Sequence, residues 1–126
     1  FDESLPACED YDLWLTITAH ENIGLISDPL IVRYAGHSDQ LSQNFWGMDR
    51  FRIYAILKLI KMYHDTLVRK NYMTETKTVL NKKINILYNG AVKRNNTKLA
   101  KNLQKIHEII IKEDYRQIDY AILLEE

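Results

Sequence analysis

The sequence predicts a mainly α chain with a small α+β beginning: one helix and two short strands, then an antiparallel bundle of three or four helices. Three observations carry this. Turn formers crowd residues 1–44, whereas residues 45–126 contain no proline and only Gly47 and Gly90 as glycines. Apolar residues in the second region recur at the helical spacing of three and four. The charge also changes sign at the boundary: residues 1–44 hold one base and eight acids, residues 45–126 sixteen bases and nine acids. We therefore divide the chain into 1–44 and 45–126, two parts that either complement each other or face different partners.

In the first part, Asp10, Leu13, Trp14 and Ile17 stand at i, i+3, i+4 and i+7, which predicts a helix over about 9–20 with that face inward. Acidic residues at its start suit the positive end of the helix dipole. Gly24-Leu25-Ile26 and Leu30-Ile31-Val32-Arg33-Tyr34 read as short strands divided by Asp28-Pro29. Two such strands cannot form a stable sheet alone, so they are expected to be edge pieces of a larger one.

The second part predicts a helix over about 46–70, with Ile53, Leu57, Ile60 and Leu67 along one stripe. A helix over about 75–94 places Leu80, Ile84, Leu87 and Ala91 inward, and after Asn95-Asn96 a third does so with Leu99, Leu103, Ile106 and Ile110. Short connections favour antiparallel packing. Residues 114–124 are the candidate fourth helix.

With 126 residues, 46% hydrophobic and 27% charged, the chain can bury one core. No run approaches the roughly 20 apolar residues of a membrane span. Phe1-Asp2-Glu3 is not the start of a signal peptide, and the missing initiator Met points to sequence upstream. A single cysteine, Cys8, excludes an internal disulfide and fits a cytoplasmic setting. Its neighbour Glu9 disfavours a reactive thiolate.

Three segments carry chemistry: Phe1-Asp2-Glu3-Ser4-Leu5, then Glu9-Asp10-Tyr11-Asp12-Leu13-Trp14-Leu15, then Arg33-Tyr34-Ala35-Gly36-His37-Ser38-Asp39-Gln40-Leu41-Ser42. In order and spacing they resemble the late catalytic domain of family 2, GT-A type, nucleotide-sugar glycosyltransferases. The resemblance implies that residues 1–44 end an α/β catalytic domain and that the helices form a C-terminal appendage. It implies transfer of a sugar from a nucleoside-diphosphate donor to a hydroxyl (glycan) acceptor, with inversion. Asp10 of the Glu9-Asp10 pair matches the general base, and His37 matches a ligand of the divalent metal, manganese or magnesium. Arg33, Ser38 and Gln40 are candidates to contact the diphosphate or acceptor, and Trp46 to line an acceptor groove. Trp14 reads as core.

The chain departs from the family at Thr16, where related sequences carry Arg, and at Ala35-Gly36-His37, where they carry Gly-Gly-His. No Asp-x-Asp motif and no strand-helix unit for a nucleotide precedes Glu9-Asp10, so the 126 residues are expected to be inactive alone, without bound metal. An exposed sheet edge would then favour self-association. Residues 45–112 carry fifteen bases and four acids with tyrosines interspersed. No nucleic-acid recognition motif accompanies them, so nucleic acid is not an expected partner, whereas peripheral contact with an anionic lipid surface or glycan is compatible with such a face. The alternative is a noncatalytic helical interaction module docking to a partner protein or anionic surface.

Overall fold

The computed structural model describes residues 1–32, 34 and 45–125. The described residues form four helices, α1 (Glu9–His20), α2 (Asp49–Arg69), α3 (Met73–Lys93) and α4 (Thr97–Lys112), followed by two 3₁₀ turns, Tyr115–Gln117 and Ala121–Leu123. The helices of the second part thus form where the apolar periodicity puts them. Residues 114–124 make the two short turns in place of a fourth helix.

The predicted α+β character is overturned. No strand occurs among the described residues, so Gly24-Leu25-Ile26 and residues 30–32 are not strands and the architecture is not the end of an α/β domain. The physical reason lies in the direction of α1. Cys8 Sγ donates to the Met48 carbonyl at 4.0 Å, Lys58 Nζ to Asp12, and Lys70 Nζ to the His20 carbonyl at 2.6 Å, so α1 runs parallel to α2. The connection must travel back the length of α1, roughly 18 Å, which demands a crossing segment rather than a hairpin. Without a neighbouring strand the β-branched residues gain no ladder. They lie open instead, with Ile31 at 86% and Val32 at 78% exposure. Self-association through a sheet edge therefore has no edge to use among the described residues.

Central helix α2 packs against α1 on one side and α3 on the other, and α4 packs on α3. Its core residues Phe51, Ile53, Leu57 and Ile60 are fully buried. Contacts of Lys83 with Asp49 and of Gln104 with Tyr88 show that α2, α3 and α4 are successively antiparallel. Asn96 caps α4 by accepting from the Leu99 N–H at 3.0 Å. Leu5, Ala7, Cys8 and Ala19 belong to the same apolar cluster as Leu80, Leu103 and Ile110. No described helix is long and apolar enough to cross a membrane.

Gly47 enters α2 in the left-handed region, φ 62°, and a Cβ there would meet Leu87 Cδ1 at 3.3 Å. Gly47→Ala is expected to destabilise the protein by about 1–2 kcal/mol through the left-handed penalty, read as a lower urea midpoint at unchanged slope.

Candidate functional site

Helix α1 positions the first candidate. Cys8 takes a left-handed conformation at the N-cap, and Glu9, Asp10 and Asp12 follow in the first turn. Asp10 Oδ1 accepts from the Tyr11 N–H at 2.7 Å, satisfying one of the amides that a helix start leaves unpaired. Its Oδ2 has no hydrogen bond among the described residues, and the side chain is exposed.

The buried face of α1 differs from the predicted one. Cys8, Asp12 and Ala19 are buried, with Tyr11 and Leu15 packed beside them, while Asp10 and Trp14 face outward, Trp14 at 54% exposure. Asp10-Tyr11-Asp12 has the spacing of an Asp-x-Asp pair, but residues two apart on a helix do not share a face. The two carboxylates are therefore separated in role, one open and one paired inside. Among the described residues no group of three His, Cys, Asp or Glu is placed to hold a metal ion.

Asp12 is held by Lys58, whose Nζ donates to Asp12 Oδ2 and Asp2 Oδ2 at 2.8 Å each. Ser4 Oγ and the Tyr54 hydroxyl also donate to Asp2, at 2.6 and 3.3 Å. The Lys58 hydrogen bond, with that of Ser4, holds the Asp2 carboxyl far below the usual carboxylate range. Burial disfavours the Lys58 cation, yet the bonds it donates to Asp12 and Asp2 prevail and raise its pKa. A depressed Asp2 pKa contributes stability that is full above the unfolded value near pH 4 and fades as pH falls below it. The melting temperature is therefore expected to drop from about pH 4 downward, with a flatter acid limb in Lys58→Met.

Cys8, the N-cap of α1, and Tyr11 adjoin a second cluster at the start of α2. Asp49 accepts from Arg52 Nη1 at 3.0 Å and from Lys83 Nζ at 3.1 Å. Burial would raise the Asp49 carboxyl, but these two cations outweigh it and lower it. Burial also pushes the Cys8 thiol up, and the Asp10 and Glu9 charges add to this against the Arg52 cation. The thiol is thus held protonated.

Trp46 is 44% exposed and lies against the Arg50 guanidinium, 4.5 Å from its ring centroid. It borders a small cavity with Asn96, Lys98 and Ile122, and no described contact joins it to Asp10. Arg33, His37, Ser38 and Gln40 lie outside the described residues. Lys58, Arg52 and Lys83 were not singled out from the sequence. A lone lysine in the apolar run Ile53-Tyr54-Ala55-Ile56-Leu57-Lys58-Leu59-Ile60 was the available signal, because such a position needs a buried acidic partner.

No known protein family, characterised protein or solved structure matches this chain.

Proposed function

We propose that the chain supplies the acceptor side of a glycosyltransferase, with Asp10 as the general base that takes the proton of an acceptor hydroxyl. One observation supports this most: Asp10 and Trp14 share the exposed face of α1, one helical turn apart. A carboxylate with an open oxygen beside an open indole fits a sugar, whose hydroxyl can donate to the acid while its apolar ring face stacks on the aromatic. The helix start fixes the position of the carboxylate through the Tyr11 amide.

The motif order around Glu9-Asp10 and the segment from Arg33 to Ser42 supports a nucleoside-diphosphate sugar as donor and an inverting transfer. On this reading the donor and its manganese or magnesium are held largely by residues outside this sequence, and His37 is the metal ligand on this side, with Arg33, Ser38 and Gln40 near the diphosphate. The setting is cytoplasmic. Asp10→Asn in the complete transferase tests the proposal: sugar transfer should be lost while nucleotide binding persists.

A further inference from the structure

A cleft of about 700 Å³ opens where the start of α2 faces the end of α3. Arg52, Lys93 and Arg94 line it together with the Asn89 amide, over an apolar floor of Met48 and Leu87. Asp49 is its one lining acid among the described residues, and that carboxylate is already engaged by Arg52 and by Lys83. Lys93 has no ion-pair partner among the described residues, and Arg94 spends one N–H on the Gly90 carbonyl at 3.2 Å. The cleft therefore keeps an excess of positive charge over a low-dielectric floor, an arrangement that concentrates anions. Its volume is that of an organic ligand rather than a bare ion. Through the contact of Cys8 with Met48 it adjoins the N-terminal turn of α1 that bears Glu9 and Asp10.

We propose that this cleft binds the phosphate or diphosphate of an organic phosphate ester, with Arg52, Lys93 and Arg94 as its donors. Arginine forks match phosphate oxygens in pairs, and lysine adds a mobile point charge. Assigning the phosphate to the donor nucleotide or to a phosphorylated acceptor rests on the glycosyltransferase reading, whereas the anion site does not.

The test is a titration of the 126-residue chain with inorganic pyrophosphate at about 0.1 M ionic strength, where the Debye length is about 10 Å, followed by amide chemical shifts. Saturable shifts are expected at residues 47–52 and 89–94. Lys93→Gln/Arg94→Gln should weaken binding at least about tenfold, as loss of two direct phosphate donors implies. Lys101→Gln/Lys105→Gln, which removes the same charge from the exposed face of α4, should change it by less than about twofold, because exposed charges beyond a Debye length are screened. Both pairs are exposed, and circular dichroism verifies their folding. Tighter binding of uridine diphosphate than of glycerol phosphate assigns the site to a donor, and the reverse order to an acceptor; either sustains the cleft. Absence of saturation by pyrophosphate, or equal weakening in both double variants, overturns it. Binding is read without turnover, so its failure leaves the role of Asp10 untouched, and an active Asp10→Asn enzyme leaves the cleft standing.

Discussion

Lys58→Met is expected to lower the melting temperature by about 10 °C, from a loss of about 3 kcal/mol. The Lys58 ammonium stands 2.8 Å from both Asp2 and Asp12, and the Asp12 side chain is only 8% exposed. Removing the cation leaves two carboxylates facing each other, one of them largely cut off from water, and an unpaired buried charge costs far more than a surface pair contributes. Methionine retains an unbranched aliphatic stem of similar length, so the loss reports the charge. Thermal scans at pH 7 measure it. Adding Asp12→Asn should recover part of the loss because the two sites share one interaction. A shift below about 2 °C, the scale of an exposed pair, would mean that the network does not hold α1 in place.

On the proposed function, Asp10→Asn is expected to reduce sugar-transfer turnover by about 10²–10⁴, the range that a general base contributes. The amide has the same shape but accepts no proton. The side chain is exposed on the first turn of α1, so stability should fall by no more than about 1 kcal/mol of helix-dipole interaction. Nucleotide affinity should stay within about twofold, since a base acts in the transition state and not on the bound donor. An unfolded or donor-blind variant would instead assign Asp10 a structural role.

The bundle was legible because one rule covers it: Leu80, Ile84, Leu87 and Ala91 and then Leu99, Leu103, Ile106 and Ile110 recur at helical spacing, and all are buried. Helix α1 obeys the same rule on two faces. The sequence pattern favoured Leu13, Trp14 and Ile17, but Asp12 turned inward because Lys58, 46 residues later, holds it. Long-range pairing of this kind leaves no periodic trace. The strands failed for a related reason. Ile23 to Val32 has strand composition, yet a strand exists only with a partner, and the parallel course of α1 and α2 turns this segment into a crossing.

The site was legible in part. Glu9-Asp10 at a helix start follows from composition and motif, and the structure puts the pair there. The neighbouring cleft was not, because Arg52, Lys93 and Arg94 are ordinary surface charges until α2 and α3 fold back on each other. Trp14 changes role with the helix face: read as core, it is an open indole beside the proposed base.

On the proposed function, Asp10 takes the acceptor proton in sugar transfer. The deciding measurement is turnover of the proposed transferase with a nucleoside-diphosphate sugar, side by side for Asp10→Asn and Glu9→Gln. A loss of at least about a hundredfold is expected for Asp10→Asn, with Glu9→Gln the milder variant. Wild-type turnover by Asp10→Asn, or no transfer from any nucleoside-diphosphate sugar by the unaltered enzyme, would contradict it.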